Sequence, residues 1–279
     1  MRGPHMGGSF VFPVKYGYCC VGEIVAAREA AVQVGDIVFC LHPHQSRFIT
    51  SDSAVTPVGE TPARRAVLAP NLETAINIVW DAKISVGDKV AVVGGGVVGS
   101  LVAWLAVRVV GTHVTLVDVA DRAGLAASLG IHAFELADKD DAWRAAVKDC
   151  DVVVHTSASE GGLNTALRIA GDEAVVVEAS WHGSKRVSVA LGEAFHSRRL
   201  TLRSSQVGHL PPDRRPRWTY ARRLGLALQL ANSPELDVLF EEDIRFADLA
   251  AKLPSLVADG ATGLCHRIDY GPRLPPPAE

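Results

Sequence analysis

The sequence predicts an α/β protein: a doubly wound parallel sheet with helices on both faces, joined to a smaller, partial β-barrel domain. Three observations carry that reading. Residues 1 to about 65 hold short β-type runs bounded by turn residues, such as Gly22-Glu23-Ile24-Val25-Ala26 and Gly35-Asp36-Ile37-Val38-Phe39-Cys40. From about residue 66 strand-like and helix-like stretches alternate, the sequence form of a parallel sheet covered on both sides. Within that alternation Lys89-Val90-Ala91-Val92-Val93 runs straight into Gly94-Gly95-Gly96 and then into an apolar helical stretch.

Taken in order, Ala66 to Ala82 reads as a helix, followed by a strand at Lys89 to Val93, a helix at Val98 to Val110 and a strand at Val114 to Val117. A helix at Arg122 to Leu129, a strand at Asp151 to His155, a helix at Gly162 to Ala170 and a strand at Ala174 to Glu178 continue the pattern. Leu200 to Ser205 reads as a sixth strand. Trp218, Ala221, Leu224 and Leu228 then repeat at helical spacing until Asn232-Ser233-Pro234 stops the helix. Leu264 to Tyr270 is expected to return to the first domain as a strand, and Pro272 to Glu279 to be a poorly ordered tail. The division expected is 1–70 for the partial barrel, 71–235 for the sheet domain, 236–270 for the return and 271–279 for the tail. Gly94 to Gly96, Asp118, His155 to Ser159 and Ala179 to Gly183 fall at carboxyl ends of strands, where open α/β sheets bind ligands.

Composition narrows the function. With 279 residues, 48% hydrophobic, 21% charged and a net charge of -3, the chain can build a core and has no general attraction for polyanions. Val90 to Val107 is 18 residues without a charge, near the length that crosses a bilayer. Three consecutive glycines split it into a strand-length and a helix-length piece, so a buried strand and its helix are expected and no membrane partner. No signal peptide is expected, because Pro13 interrupts the apolar residues around Phe10 to Val14. Cys19, Cys20, Cys40, Cys150 and Cys265 are odd in number and lack a CxxC pair, which suggests neither a disulfide framework nor a zinc knuckle. A reducing cytoplasm is the expected compartment.

The glycine run carries the chemistry. Gly94 makes the tight turn, Gly96 lets a pyrophosphate approach the backbone, and Gly99 lets the helix pack close to the strand. The phosphates would rest on amides at the helix N-terminus, at Val97 and Val98. Asp118 ends the next strand and is placed to accept hydrogen bonds from an adenosine ribose, which favours NAD(H). Arg122 nearby works the other way and keeps NADP(H) open. Methyltransferases also use a glycine-rich first turn, but they commonly place a carboxylate just before the glycines, and Val90 to Val93 is uncharged.

Gly17-Tyr18-Cys19-Cys20-Val21-Gly22, Val34-Gly35-Asp36-Ile37-Val38, Asn71-Leu72-Glu73-Thr74-Ala75 and Val86-Gly87-Asp88-Lys89-Val90, leading into Gly94 to Gly99, follow one another as in a known superfamily. The chain resembles the medium-chain dehydrogenases/reductases, alcohol dehydrogenase-like proteins, over nearly its whole length. The resemblance implies a GroES-like catalytic domain fused to a Rossmann domain, with the cofactor in the cleft between them. It also implies that Thr74 approaches the nicotinamide, and that Thr156-Ser157-Ala158 and Ser180-Trp181 flank the ribose and ring.

The departures from the family shape the expected function. Zinc-dependent members carry a glycine-histidine-glutamate run where this chain has Gly17-Tyr18-Cys19, so Tyr18 stands at a histidine ligand position. A further ligand would fall near Pro70 or Asn71, and the cysteine-rich lobe of a structural zinc is absent, so no zinc is expected. His42 and His44 form a pair around Pro43 without an evident third ligand and read as chance surface histidines. Sixteen residues precede Gly17, fewer than the family usually spends, which reads as a truncated GroES-like domain; Gly3-Pro4-His5-Met6 resembles a cloning scar.

Without zinc, hydride transfer still needs a proton donor or acceptor. Tyr18 is the leading candidate, with a structural barrel tyrosine as the alternative, and His182 is the second, with a solvated loop histidine as its alternative. Glu73 reads as a substrate-orienting group or, more commonly, a helix-surface carboxylate. Arg198, Arg199, Arg203, Arg214, Arg215, Arg217, Arg222 and Arg223 concentrate positive charge that could bind an anionic substrate, though solvated helix faces explain most such runs. No nucleic-acid module accompanies them, so no nucleic-acid partner is expected. The expected function is a zinc-independent NAD(P)-dependent oxidoreductase acting on a small alcohol, carbonyl or enone, as a homodimer paired through Leu200 to Ser205. A catalytically silent dinucleotide-binding or sensing protein is the alternative, and a methyltransferase the third.

Overall fold

The structure, a computed structural model, describes residues 13–28, 31–137, 141–258 and 260–271. The scar-like residues 3–6 and the tail at 272–279 lie outside them. The chain divides into two units, one of Asn71–Arg223 and one of Ser9–Pro70 with Leu224–Glu279. The sheet unit thus ends at Arg223, where the sequence reading placed residue 235, and both crossings fall inside helices.

The β-rich unit opens with three antiparallel strands, β1 (Cys20–Glu23), β2 (Ile37–Cys40) and β3 (Val55–Pro57), in that order. Phe39 and Val58 pack with Ala66, Ala69 and Leu228, and Cys19, Val21 and Leu224 lean on the same cluster. The single helix expected at Ala66 to Ala82 is two, α1 (Ala63–Ala66) and α2 (Ala69–Ala82). Pro62 caps α1, and the Arg65 guanidinium donates to the carbonyls of Ala231 and Asn232 and to Asp237.

The sheet unit holds six parallel strands: β4 (Lys89–Val93), β5 (His113–Asp118), β6 (Ala133–Leu136), β7 (Cys150–His155), β8 (Ala170–Glu178) and β9 (Thr201–Ser204). Their order, β6-β5-β4-β7-β8-β9, is the doubly wound order of dinucleotide-binding sheets, with the switch point at β4. Strand β6 has no counterpart in the sequence reading: it has only four residues, three half-buried and one exposed, so no apolar run marks it. Helices α3 (Val97–Ala106), α4 (Ala123–Ser128) and α5 (Glu160–Ile169) follow β4, β5 and β7.

The uncharged run is therefore strand β4, a glycine turn and a ten-residue helix, and no helix among the described residues is long and apolar enough to cross a membrane. Val90, Ala91 and Val92 are fully buried, as a strand covered on both faces requires.

Helix α6 (Tyr220–Ala231) ends where Asn232-Ser233-Pro234 was expected to stop it. Strands β10 (Ile244–Arg245) and β11 (Ile268–Asp269) form a separate two-stranded parallel sheet and flank α7 (Leu249–Leu256). The expected return strand at Leu264 to Tyr270 lies in the same unit as β1, β2 and β3, but it is confined to Ile268–Asp269 and pairs with β10. Pairing starts only after the isolated Phe240–Cys265 bridge.

Glu73 corrects another expectation. It is buried in α2, and its Oε1 accepts from Arg223 Nε at 3.0 Å, while Arg223 also donates to Asn77 Oδ1 at 2.6 Å. Asn77 in turn donates to Asp81, which accepts from Ser205. Burial raises the Glu73 carboxyl above its usual value despite the opposing pull of Arg223. The carboxylate and the guanidinium therefore compensate one another in surroundings that disfavour either charge alone. Glu73→Ala, which leaves the guanidinium buried and uncompensated, should lower the unfolding free energy by about 3 kcal/mol in urea. Glu73→Leu combined with Arg223→Met should recover most of that loss; a single variant as stable as wild type would show that the pair is solvated.

Candidate functional site

The turn after β4 is built on two close approaches. Gly94 has φ +114, and a Cβ there would lie 2.7 Å from both Ser157 N and Thr156 Oγ1. At Gly99 a Cβ would lie 1.8 Å from the Gly94 carbonyl oxygen, so α3 sits against the strand at a distance only glycine permits. Gly96 differs: a Cβ there would meet nothing within 4 Å, and it is the exposed N-cap of α3, with no side-chain cap. The open space at Gly96 and the amides of Val97 and Val98 form the cradle a pyrophosphate needs.

Asp118 lies beside this turn. Gly95 N donates to its Oδ2, and Ala120 N donates to Oδ1 at 2.7 Å. The carboxylate is thereby aimed at the glycine turn, with lone pairs left for a ribose. A cavity of about 550 Å³ is lined by Gly94, Asp118, Trp143, Ser157, Ser159 and Arg168 among others. Thr156 reaches the turn from the other side, its hydroxyl donating to the Gly94 carbonyl at 2.9 Å. Thr74 is half-buried on α2 and does not line the cavity.

The ends of β7 and β8 hold a hydrogen-bonded cluster around His155 and Glu178, to which the expected Ser157, Ser180 and His182 belong. His155 and Glu178 are the last residues of these strands and stand opposite one another in register. His155 is fully buried; its Nδ1 lies 2.7 Å from Glu178 Oε2 and its Nε2 lies 2.7 Å from Ser157 Oγ. Glu178 Oε1 accepts from Ser180 N at 2.7 Å, and His182 Nε2 lies 3.4 Å from Glu178 Oε2. Burial alone would raise the Glu178 carboxyl; the His155 hydrogen bond and charge and the Ser180 donors outweigh it and hold the group below its usual value. An ionised Glu178 only accepts, so His155 Nδ1 directs a proton to it; in the neutral imidazole Nε2 is then the acceptor for the Ser157 hydroxyl.

The expected residues thus fall in two places. Gly94, Gly96, Val97, Val98, Gly99, Asp118, Thr156, Ser157, Ser180 and His182 all lie at the carboxyl edge of the parallel sheet, His182 as a partly buried neighbour of Glu178 rather than a solvated histidine. Tyr18 belongs to the β-rich unit, precedes β1 and is 59% exposed. The signal that pointed to His155 and Glu178 is in the sequence: Val152-Val153-Val154 and Val175-Val176-Val177 each end in one polar residue where a valine would continue the core.

The arginines mostly serve the structure. Arg198 pairs with Asp149 and Asp172, Arg199 with Glu173 and Arg223 with Glu73, while Arg214 lies over Trp80 and Arg222 over Trp218. His42 stacks on Phe48 at 3.6 Å and His44 bonds the Tyr270 hydroxyl at 3.0 Å, so both are packing residues rather than chance surface histidines.

No protein-family model matches the chain, and no curated protein sequence matches it. Solved structures do. Galactitol-1-phosphate dehydrogenase from Escherichia coli is 17% identical, over 92% of this chain and 85% of that one, with a TM-score of 0.72. A short chain alcohol dehydrogenase from Escherichia coli CFT073, complexed with NADH, is 15% identical over 89% and 81%, TM-score 0.67. Zinc dependent alcohol dehydrogenase 2 from Streptococcus pneumonia is 17% identical over 92% and 84%, TM-score 0.67. At these identities the likeness establishes the fold, which is the one the sequence reading expected.

Zinc, named for the last of these, does not fit the positions that the family resemblance assigns. Tyr18 offers a phenol, Pro70 no side-chain donor and Asn71 a neutral carboxamide, not the thiolate, imidazole and carboxylate set that zinc takes. Among the described residues the one group of three potential ligand side chains with mutually close donor atoms, within 4.8 Å, is His155, Glu178 and His182, in the sheet unit. There the hydrogen bonds to Ser157 and Glu178 already engage both ring nitrogens of His155.

Glu178 carries a pH signature. Its carboxyl is depressed in the folded protein, so it contributes stability that is present above the unfolded value of about 4.3 and is lost as pH falls through the lower folded value. Wild-type protein should lose thermal stability more steeply below pH 4.5 than Glu178→Gln does. Parallel acid profiles for the two would remove Glu178 from the acid response.

Proposed function

We propose that the chain is a zinc-independent, NAD(P)-dependent oxidoreductase that transfers hydride between a nicotinamide and a small alcohol, carbonyl or enone substrate. The observation that carries the reading is the glycine turn. Gly94 at φ +114 suits the tight turn, the contact-limited Gly99 suits close packing of helix on strand, and the open Gly96 at the head of α3 suits the approach of a pyrophosphate. The doubly wound strand order and the NADH complex of one structural neighbour support it.

The residues that would hold the dinucleotide are the amides of Val97 and Val98 for the phosphates and Asp118 for the adenosine ribose. Asp118 favours NADH, because its carboxylate would oppose a 2′-phosphate. When bound, the nicotinamide supplies the two-electron acceptor or donor, and the chain supplies orientation and a proton path. The absence of zinc from this chemistry rests on the donors at Tyr18, Pro70 and Asn71. A homodimer through β9 is part of the same reading, since that strand ends the sheet with all four residues exposed. A cytoplasmic setting accords with five cysteines none of which is bridged.

Calorimetric titration tests the reading. NADH should bind about tenfold more tightly than NADPH, about 1.4 kcal/mol, and Asp118→Ala should remove that preference. Gly96→Ala, which places its methyl in open space, should leave the melting temperature unchanged and weaken NADH binding. Failure of wild type to bind either dinucleotide would sink the proposal. Binding without turnover of any aldehyde, ketone or enone would leave the silent dinucleotide-binding protein in its place.

A further inference from the structure

His155 is a fully buried histidine whose two ring nitrogens are both spoken for, and the partners are of opposite kinds. On one side stands the Glu178 carboxylate at 2.7 Å; on the other, at 2.7 Å, stands the Ser157 hydroxyl, on an exposed residue that lines the 550 Å³ cavity. The chain of donors has one direction. With His155 neutral and the Ser157 hydroxyl hydrogen directed to its Nε2, the Ser159 hydroxyl donates to Ser157 Oγ at 2.8 Å and accepts from Gly162 N at 3.0 Å. Ser157 donates to His155 Nε2, and His155 Nδ1 donates to Glu178.

Two backbone features hold Ser157 in that line. Ala158 adopts φ +52, a left-handed conformation that costs an alanine about 1 kcal/mol, and its amide is tied to Ser180 Oγ at 3.0 Å. Gly162 faces the relay without a side chain: a Cβ there would lie 2.2 Å from Ser157 Oγ and 2.7 Å from His155 Nε2. Any other residue at 162 would push into the serine.

We propose that Ser157 is the proton-transfer group of this crevice, with His155 and Glu178 as the residues that position and activate it. The inference deepens the hydride-transfer reading and rests on it. In the oxidising direction the substrate O–H bond breaks and its proton passes to Ser157 Oγ as the Ser157 proton passes to His155 Nε2. The substrate carbon loses a hydride with its electron pair, for which the nicotinamide of the proposed cofactor is the acceptor. The proton stays on the imidazole, whose positive charge Glu178 balances. Tyr18 and His182 are then not needed as proton carriers; His182 adds a second polar neighbour to Glu178.

The test reads the activated serine directly, without a substrate. The full-length protein is incubated with a fluorophosphonate probe and its peptides are mapped by mass spectrometry. Labelling forms a Ser157 Oγ–P bond, breaks the P–F bond, sends the hydroxyl proton to His155 and releases fluoride. Wild type should be labelled at Ser157, NADH should protect it, and Glu178→Gln should slow labelling about 100-fold with its melting temperature checked alongside. Wild type should also show a far-downfield imidazole proton resonance that Glu178→Gln loses.

No label at Ser157, or equal rates in wild type and Glu178→Gln, would overturn the proposal. So would one equivalent of Co²⁺ bound in a tetrahedral site and lost in Glu178→Gln and His182→Ala, which would make the cluster a metal site. Labelling needs no dinucleotide. An unlabelled protein that binds NADH overturns the relay alone, and a labelled protein that binds no dinucleotide counts against the hydride-transfer reading alone.

Discussion

The arrangement of the sheet edge depends on one contact, the approach of Gly99 to the Gly94 carbonyl. A methyl group at 99 would sit 1.8 Å from that oxygen, so helix α3 can begin where it does only because both residues lack side chains. The position of α3 fixes where its free amides point, and the turn at Gly94 leaves room for Thr156 and Ser157 from the end of β7. Thr156 closes the arrangement by donating to the Gly94 carbonyl, the same oxygen that limits Gly99. One carbonyl therefore sets the spacing of a strand, a helix and a neighbouring loop.

Around that edge the unit buries polar groups in two self-contained sets. Glu73, Arg223, Asn77, Asp81 and Ser205 link α2 to the start of α6 and to the residue after β9, each hydrogen-bonded to the next. Such a network is neutral for stability when complete and costly when one member is missing, which makes it a device for fixing how elements pack. It also accounts for the arginines. Arg223 belongs to this network, and Arg198 and Arg199 tie down acidic turns, so the positive charge that stands out in the sequence is largely consumed within the fold.

The fold was legible because its signals are redundant. Val90 to Val93, the glycines and Asp118 each point to the same βαβ unit, and the strand-helix alternation repeats the message downstream. Strand β6 was not legible: with four residues at a sheet edge it buries too little to leave an apolar pattern. The final strand was overread because Leu264, Ile268 and Tyr270 sit at strand-like spacing among polar residues, while only Ile268–Asp269 forms a strand. Among site residues, the glycines, Asp118 and the serine loop could be placed from position alone. His155 and Glu178 could not be paired from sequence, because their contact depends on the register of β7 against β8, which no local pattern states. Glu73 misled for a related reason, since a carboxylate on a helix reads as surface until its partner, 150 residues away, is known.

Folding does not explain why a histidine and a glutamate end two strands of valine. Val154 and Val177, the residues just before them, are fully buried, and valines at 155 and 178 would extend the same core. Apolar replacements of buried polar pairs are often neutral or stabilising, so packing alone does not call for His155 and Glu178 at these positions. What the pair adds is chemical: a polarised hydroxyl held at the rim of a cavity by groups that are themselves locked in place. The strained Ala158 and the bare Gly162 point the same way, because each departs from what packing or propensity would select and each bears on Ser157. His155 and Gly162 meet at the Ser157 hydroxyl, Glu178 backs the imidazole, and the strained Ala158 adjoins them. That convergence is what separates a site from a collection of polar residues.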